Sequence, residues 1–247
     1  MVEIFLKKKY LVDNLFGLVD IHNHILPGID DGAKTVEDSL QMLAGFSEIG
    51  VTHFICTPHI MHHHYDNTPE TIIGAHEILI NSLKDTDLSN INLDVAAEHM
   101  IDDNFEAILE SGQVLGLNRH HLLIEMSYLQ PSFNFDTAVE KIFNSNYFPV
   151  LAHPERYMYF HHKYGKYAKM KAKGIKFQMN LMSMDADSYG SGVQKVAQKM
   201  LQDNLVDFVG SDIHNLQQLE RMKEIKLNNG VLNKLLPIIE HTIETFY

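Results

Sequence analysis

The sequence has little cysteine, no tryptophan and no long apolar run: its 247 residues include one cysteine. That residue, Cys56, cannot form an internal disulfide, and its isolation is typical of a protein in a reducing compartment. No apolar stretch approaches the roughly 18 residues that span a bilayer. The first apolar residues are too few for a signal peptide, and the lysines at 7–9 follow them rather than precede them. We therefore expect a cytoplasmic protein without membrane insertion.

Basic residues are also scarce. The chain has 20 lysines and arginines against 32 acidic residues, which gives a formal net charge of −12. Because nucleic-acid binding depends on lysine and arginine side chains that neutralise phosphates, this balance argues against a nucleic-acid partner. The remaining composition is that of an ordinary globular protein with a large core. We predict that residues 1–16 form an N-terminal extension and that residues 17–247 form a single domain.

Apolar strands alternate with amphipathic helices along the whole chain. We predict seven strands, at residues 17–22, 51–57, 91–97, 121–126, 147–152, 176–181 and 206–210. Near-continuous apolar strands indicate a parallel sheet that is covered on both faces. The polar residues fall where these strands end, and a closed (β/α) barrel gathers all such ends into one site. We therefore predict an α/β barrel rather than an open doubly wound sheet.

Two histidines, His22 and His24, end the first predicted strand. Residues i and i+2 of a strand share a face, so both imidazoles point the same way. Imidazole is the commonest protein ligand for metals, so the pair indicates a metal site. Two solvated histidines before a glycine-rich turn are the alternative interpretation of this motif alone.

Histidine or an acidic residue follows most of the other predicted strands, and this recurrence favours the metal site. The candidate ligands are His22, His24, Asp31, His59, Glu98, His153, Asp212 and His214. Imidazoles and carboxylates without a thiolate suit Zn, Mn or Fe(II). Since one metal needs three or four protein ligands, the set predicts two or three metals, with Glu98 as the expected bridge. Closely spaced metals hydrolyse phosphate or amide bonds.

Five motifs carry a resemblance to a known family. They are Asp-Ile-His-Asn-His-Ile-Leu-Pro-Gly-Ile-Asp-Asp-Gly at 20–32, Thr-Pro-His at 57–59, Ala-Glu-His at 97–99, Ala-His-Pro-Glu-Arg-Tyr at 152–157 and Gly-Ser-Asp-Ile-His-Asn at 210–215. In this order they resemble the PHP (polymerase and histidinol phosphatase) superfamily. Within it, the sequence is most similar to the bacterial protein-tyrosine phosphatases of capsular and exopolysaccharide biosynthesis.

The resemblance implies a distorted (β/α)7 PHP barrel with a trinuclear metal site at the C-terminal ends of the strands. Manganese is the common metal of that family, with Fe or Zn as alternatives. The eight candidate ligands match the family's ligands, and Asp31 is chosen over Asp30 because its spacing from His22 matches. Arg156 matches the phosphate-binding arginine, whereas a second family arginine has only Arg221 nearby, slightly displaced. Glu125 matches a family acid that we rank below the ligands.

The function implied is metal-dependent hydrolysis of phosphotyrosine in the control of capsule or exopolysaccharide synthesis. The implied substrate is the tyrosine-rich tail of a polysaccharide co-polymerase and its autokinase. Arg156 would hold the phosphate, and Asp31 or His214 would assist the phenolate leaving group. The cysteine-dependent route is excluded, because the residue six positions after Cys56 is His62 rather than arginine. The oligomeric state stays open.

Three other functions are weighed against this one. A histidinol-phosphate or small phosphomonoester phosphatase of the same superfamily is the main alternative. An amidohydrolase would often carry a lysine at the end of the fourth strand, where this chain has Glu125. A binding module with a dead metal site would lack ligands, and none is missing. The aromatic-rich segments 61–66 and 157–162 either stack on a substrate ring or cover the barrel mouth, and the histidines at 62–64 are a further possible metal site.

Overall fold

The computed structural model describes residues 9–84 and 86–247. The strands are β1 (Lys9–Tyr10), β2 (Val19–Asp20), β3 (His53–Cys56), β4 (His59–Ile60), β5 (Asn92–Val95), β6 (Glu98–Met100), β7 (His121–Glu125), β8 (Phe148–Ala152), β9 (Lys176–Asn180), β10 (Phe208–Gly210) and β11 (Lys226–Leu227). The helices are α1 (Val36–Glu48), α2 (Pro69–Leu83), α3 (Phe105–Glu110), α4 (Phe135–Asn144), α5 (Met158–His161), α6 (Gly165–Ala172), α7 (Ala186–Tyr189), α8 (Ser191–Gln202), α9 (Leu216–Lys223) and α10 (Asn229–Phe246).

Parallel strands form two sheets. The larger sheet has six strands in the order β10-β9-β8-β7-β6-β4, and the smaller has three in the order β2-β3-β5. The two are joined along the chain, because β3 leads directly into β4 and β5 leads directly into β6. A parallel bridge between Asn23 and Ile213 links the segment after β2 to the segment after β10. The fold is therefore a mixed α/β structure with a curled parallel sheet.

Each of the seven predicted strand segments contains an observed strand, but the sheet has additional pieces. Beyond the predicted ends of the second and third segments, β4 and β6 continue the pairing, with His59 opposite Glu98. The continuation places both residues inside the sheet rather than in loops. Two helices, α5 and α6, connect β8 to β9, and the short helix α7 precedes α8.

Local sequence explains the clearest helix starts. Thr35 caps α1, since its side chain accepts from the Asp38 amide while the Asp38 carboxylate accepts from the Thr35 amide. Thr68 and Thr71 form the same reciprocal pair at α2, and Pro69 occupies the first helical position, where its missing N–H is not needed. These caps fix where the chain leaves the sheet and becomes helical.

Residues 9–16 belong to the packed structure. The strand β1 pairs antiparallel with β11, next to the C-terminal helix. Leu11 and Leu15 are fully buried within the main apolar core. The part of the predicted N-terminal extension that the structure describes is thus packed against the 17–247 region, while residues 1–8 lie outside the described residues. The division into extension and single domain stays a prediction.

Two apolar clusters lie on opposite faces of the strands. In β7, Leu122 and Ile124 join the main core with the helices, whereas Leu123 joins a smaller cluster with Val150. Since successive strand residues face opposite sides, the smaller cluster lies on the face of the sheet away from the helices. The polar residues at the strand ends lie beyond this cluster, where the parallel strands finish. Within the described residues, no helix is both long and apolar enough to span a membrane.

Candidate metal centre

Backbone hydrogen bonds bring the first and last motifs together. The Asp212 amide donates to the His22 carbonyl at 2.7 Å, and the His24 amide donates to the Ile213 carbonyl at 3.1 Å. The Ser211 hydroxyl donates to the Asp20 carboxylate at 2.6 Å. Residues almost 200 positions apart therefore share one rigid junction, from which their side chains converge.

The loop after His24 folds back onto it. A Cβ on Gly32 would lie 2.0 Å from the His24 carbonyl oxygen, so this approach requires glycine. The Gly32 amide donates to Asp30 Oδ1 at 2.8 Å, and Asp30 Oδ2 lies 2.8 Å from His24 Nδ1. Asp30 thus orients His24, whereas Asp31 faces the cluster, with Oδ1 3.4 Å from His59 Nε2. The two adjacent aspartates therefore contact different histidines, Asp30 contacting His24 and Asp31 contacting His59.

Glu98 lies at the centre of the converging side chains and is fully buried. Its Oε2 atom is 3.2 Å from His22 Nε2 and 3.1 Å from His59 Nδ1. Its Oε1 atom is 3.0 Å from His153 Nε2. One carboxylate therefore contacts histidines from three different strand ends, which is the position that a bridging ligand requires.

The candidate ligands form four groups whose ligand atoms lie within 4.8 Å of one another. The groups are His24, Asp31, His59 and His214; His22, His24 and Asp212; His22, Glu98 and His153; and His59, Glu98 and Glu125. Consecutive groups share His24, His22, Glu98 and His59, so the four form a closed ring. All eight predicted ligands are in these groups.

Glu125, which the sequence analysis ranked below the ligands, belongs to the fourth of these groups. It is buried, and its Oε1 atom lies 3.0 Å from His59 Nδ1. The histidines at 62–64 belong to none of the ligand groups found in the described parts of the chain. His62 instead lies against Asp103, with 3.0 Å between Nδ1 and Oδ1.

The protonation pattern of the buried atoms fits bound cations. His22 Nδ1 lies 2.8 Å from Gln178 Oε1, so Nδ1–H donates, and in the neutral ring Nε2 keeps its lone pair. That Nε2 atom faces the oxygens of Glu98 and Asp212, which also carry lone pairs. Such atoms repel unless a positive charge lies among them. The buried atoms that make no hydrogen bond among the described residues include His22 Nε2, His24 Nε2, His59 Nδ1, Glu98 Oε2 and Glu125 Oε1.

Without a bound cation, protonated histidines supply the positive charge among these carboxylates. Burial raises the pKa of Glu98, but the adjacent His22 and His59 outweigh it and hold that pKa well below its usual range. Asp212 has its pKa lowered well below the usual range in the same way, with His22 as the largest opposing charge. Burial raises the pKa of the Cys56 thiol, which argues against a thiolate nucleophile.

Gln178 and Asn180, which the sequence analysis missed, support the ligands from β9. Gln178 holds His22, and the Asn180 amide donates to Asp212 Oδ2 at 2.6 Å. Both are fully buried in an otherwise apolar strand. Two polar residues at positions i and i+2 of a buried strand are the signal that could have identified them. Such partners fix the orientation and tautomer of a ligand.

Two of the ligands adopt unusual backbone conformations. His153 has a φ of 34° and Asp212 a φ of 54°, both in the left-handed region that non-glycine residues seldom occupy. Backbone strain of this kind persists where surrounding contacts hold it in place, and it clusters at functional sites. Here the chain turns sharply after β8 and β10, where His153 contacts Glu98 and Asp212 contacts His22.

Arg156 lies at the edge of the cluster between two aromatic rings. Its guanidinium carbon is 4.5 Å from the Tyr128 ring centre and 4.2 Å from the Tyr189 ring centre. One of its nitrogens, Nη1, donates to Asp212 Oδ2 at 2.6 Å. This sandwich holds the planar group in one orientation. Arg221 instead contacts Asp185 at 3.4 Å and does not line the cavity.

A cavity of about 630 Å³ opens onto the ligands and Arg156. Among the described residues, Arg156 is the only arginine or lysine that lines it. The predicted aromatic segment 61–66 contributes Met61 and Tyr65, and the Tyr65 ring stacks on His59. From the segment 157–162, Tyr157 and Phe160 pack in the core instead. We call this space the catalytic cavity.

The sequence profile of the family described as "Capsular polysaccharide synthesis, CpsB/CapC" matches residues 18–235. The chain belongs to this family. Its predicted family resemblance is thereby confirmed. The chain is 30% identical over 207 residues to tyrosine-protein phosphatase YwqE of Bacillus subtilis, which covers 81% of this chain and 78% of that protein. It is 28% identical over 204 residues to tyrosine-protein phosphatase CpsB of Streptococcus agalactiae, with 81% and 84% covered.

Solved structures of the family share the fold. Crystal structures described as YwqE from Bacillus subtilis and CpsB from Streptococcus pneumoniae, "unique metal-dependent tyrosine phosphatases", match with a TM-score of 0.81. That match has 27% identity and covers 93% of this chain and 94% of the other. A histidinol phosphate phosphatase from Lactococcus lactis matches with a TM-score of 0.53 at 12% identity, which shows a shared fold alone.

Proposed function

We propose that this protein is a metal-dependent protein-tyrosine phosphatase that acts in the control of capsule or exopolysaccharide synthesis. The observation that carries the proposal is the ring of four overlapping ligand groups around Glu98, beside an arginine that lines the same cavity. The family membership of the chain supports the same activity, because relatives along most of its length are tyrosine-protein phosphatases. The reaction is hydrolysis of a phosphoric monoester.

The proposal includes the finer architecture, a distorted (β/α)7 barrel. The pairings that support it run in sequence from β2 through β3/β4, β5/β6, β7, β8 and β9 to β10. The Asn23–Ile213 bridge then relates the last of these segments to the first. A barrel of this kind collects all seven strand ends at one opening, which is where the candidate ligands lie.

The eight predicted ligands, with Glu125 as a ninth, would hold two or three divalent cations. Their imidazole and carboxylate donors suit Mn, which we propose as the metal, and also Fe or Zn. Sharing of ligands between neighbouring groups requires closely spaced ions, since Glu98 belongs to two groups and contacts three histidines. Bound cations would supply a water of lowered pKa and neutralise charge on the phosphate.

Arg156 would bind the phosphate of the substrate. Its planar guanidinium offers paired donors that match phosphate oxygens. The contact with Asp212 and the two stacked tyrosines hold this group at the cavity wall before substrate arrives. Less ordering is then required when phosphate binds, which favours tight binding.

Asp31 and His214 would assist the leaving group. Asp31 Oδ1 lies 3.5 Å from His214 Nε2, and both residues line the catalytic cavity. The tyrosine phenolate, with a pKa near ~10, needs less protonation than the alkoxide of serine. A proton lost by the attacking water would reach the phenolate oxygen through this pair, and the requirement for it would be greater with a phosphoserine substrate.

The substrate that we propose is the phosphorylated tail of a polysaccharide autokinase or co-polymerase. The capsular family to which the chain belongs supports a substrate in that assembly. The catalytic cavity has apolar walls that include Met61, Met100 and Leu129, which suits an aromatic ring next to the phosphate. We place the reaction in the cytoplasm, and the single buried thiol of Cys56 supports this location.

The test is phosphate release from a phosphotyrosine peptide, a phosphoserine peptide and histidinol phosphate, each with added Mn and with chelator. We expect metal-dependent release from the phosphotyrosine peptide, and a loss of about 10²- to 10³-fold in kcat/KM for Arg156→Ala, as for other charge-stabilising donors. Arg221→Ala is the matched control and should stay near wild type, because Arg221 pairs with Asp185 outside the cavity.

Two results would overturn the proposal. Preference for histidinol phosphate, or equal turnover of all three substrates, would favour a small phosphomonoester phosphatase on the same metal centre. No release from any of them by metal-loaded protein would direct the search to amide substrates.

A further inference from the structure

A second cavity continues outward from the catalytic cavity. It has a volume of about 570 Å³ and shares Met61, Met100 and Ser127 with the catalytic cavity. Its far wall is formed by residues 130–134, which follow Tyr128 along the chain. We call it the groove. A peptide with its phosphotyrosine in the catalytic cavity can extend along the groove without leaving the protein surface.

A third cavity, of about 270 Å³, lies at the far end of the groove and shares Pro131, Ser132 and Phe133 with it. Its apolar walls include the rings of Phe133, Phe135 and Phe160. Phe133 is 96% exposed, which is unusual for a phenylalanine on a protein surface. This third cavity, which we call the basic pocket, offers aromatic surface to a ligand.

Lysines form the rim of the basic pocket. Lys166, Lys169 and Lys173 line it from α6 and the residue following that helix. Lys173 pairs with Asp136 at 2.8 Å, so their charges offset one another. Lys166 and Lys169 are exposed and make no ion pair with any described residue. The chain has a net charge of −12, yet these two positive charges beside an aromatic cavity have no acidic partner among the described residues and are available to an anionic ligand.

We propose that the basic pocket binds a second phosphotyrosine of the same substrate chain, which makes the enzyme prefer doubly phosphorylated peptides. The pocket has the two parts that such a residue needs: apolar rings for its phenyl group, and lysines for its phosphate. The inference rests on the proposed function, because it requires that the first phosphotyrosine occupy the catalytic cavity. Among phosphorylated serine, threonine and tyrosine, phosphotyrosine alone carries both an aromatic ring and a dianionic phosphate.

The length of the connecting wall sets the spacing between the two phosphotyrosines. Tyr128 lines the catalytic cavity and Phe133 lines the basic pocket, five positions along the chain. Five extended residues span at most about 17 Å, and a substrate chain obeys the same limit. Peptides with phosphotyrosines about four to six residues apart should therefore reach both cavities.

The test compares kcat/KM for singly and doubly phosphorylated peptides of one sequence, in which phenylalanine replaces the second phosphotyrosine of the singly phosphorylated form. We expect wild-type enzyme to favour the doubly phosphorylated peptide by about tenfold, through KM rather than kcat, since two surface charges contribute modestly. The double variant Lys166→Gln/Lys169→Gln should abolish this preference, so that the two peptides have about equal kcat/KM. It should leave turnover of the singly phosphorylated peptide unchanged.

The matched control is Lys195→Gln/Lys234→Gln, which removes two exposed lysines that line none of the three cavities. This control should keep the preference. Equal loss of the preference in both double variants, or no preference in wild type, would overturn the inference while turnover of the singly phosphorylated peptide still supported the proposed function.

A further experiment measures binding of the protein to vesicles of phosphatidylserine and phosphatidylcholine. Loss of vesicle binding in Lys166→Gln/Lys169→Gln, with the peptide preference intact, would assign the lysines to an anionic membrane surface instead.

Discussion

Two buried histidines, one among the candidate ligands and one beside them, show what separates a candidate ligand from a structural residue. His99 follows Glu98 directly, yet both of its ring nitrogens have protein partners. Its Nδ1 atom lies 3.1 Å from the Leu123 carbonyl, and the Leu115 amide donates to Nε2 at 3.3 Å. His22 has one such partner, Gln178, and its Nε2 atom faces carboxylate oxygens without a hydrogen bond.

The difference teaches that burial and residue type do not identify a metal ligand by themselves. His22 and His99 are both at most 1% exposed. Burial lowers the pKa of His99 to about 4, so that ring is neutral and satisfied by the backbone. The ring of His22 is oriented by one hydrogen bond, from Nδ1 to Gln178. Its Nε2 atom makes no hydrogen bond and can bind a metal ion.

Substitution of each histidine by alanine gives the largest expected contrast. His22→Ala should remove bound metal and lower kcat/KM by more than about 100-fold. Mutation of a residue that only hydrogen-bonds to a metal ligand already costs up to about 100-fold in metal affinity or activity. His99→Ala should keep both metal and activity, but it leaves buried backbone groups without partners and should lower the free energy of unfolding by about 1–3 kcal/mol. Metal analysis by mass spectrometry and urea unfolding measure the two effects.

A metal content that falls equally in both variants would break the comparison, because His99 would then contribute to the centre. Retention of full metal content in His22→Ala would remove His22 from the ligand set.

Gln178 sharpens the same comparison at a smaller scale. It lies behind His22 and fixes which nitrogen carries the proton. Gln178→Ala should weaken metal affinity by about 10- to 100-fold without abolishing activity at saturating metal. Titration of the metal-free protein, followed by activity, measures the shift. Gln178→Glu, which preserves an acceptor at the same position, should recover most of the affinity, whereas equal affinity of Gln178→Ala and wild type would make Gln178 a packing residue.

The sequence was sufficient to predict the strand segments and to name the candidate ligands, because both leave local signals. Apolar runs mark the strands, and histidines or acids mark their ends, as at His153 and Asp212. It was insufficient for contacts made between distant segments. Nothing in Asp30-Asp31 shows that the first residue orients His24 while the second faces His59, since that division depends on how the loop folds back at Gly32.

The Arg156 sandwich was missed for a similar reason. Its two tyrosines come from segments separated by about 60 residues, the loop after β7 and the short helix α7. Glu125 has a lower rank in the sequence analysis because a single acid at a strand end has many ordinary roles, and its distance to His59 is what places it in a candidate ligand group. Tertiary contacts, rather than local pattern, decide both cases.

A third histidine extends the comparison to the opposite end of the sheet. His121 begins β7, the strand that ends at Glu125. Its Nδ1 atom lies 3.0 Å from Asn118 Oδ1, and its ring packs on Phe208 and Phe246 at 5.5 and 5.4 Å between centres. Its pKa is lowered to about 4, first by burial and then by the charges of Lys176, His120 and His241, against the opposing effect of Asp207.

The sign of the resulting pH effect follows from this shift. An unfolded histidine has a pKa near ~6.5. Between pH ~6.5 and ~4, His121 is therefore protonated in the unfolded chain and neutral in the folded protein. Stability from this residue is complete above pH ~6.5 and is lost as the pH falls towards 4. His121→Phe removes the titration, so it should gain about 1 kcal/mol relative to wild type between pH 7.5 and 4.5, a value reduced for the partly exposed ring. Urea unfolding of both proteins in chelator measures the difference, because the metal ligands titrate identically in each. Parallel curves of unfolding free energy against pH would mean that the pKa of His121 is the same in the folded and unfolded states.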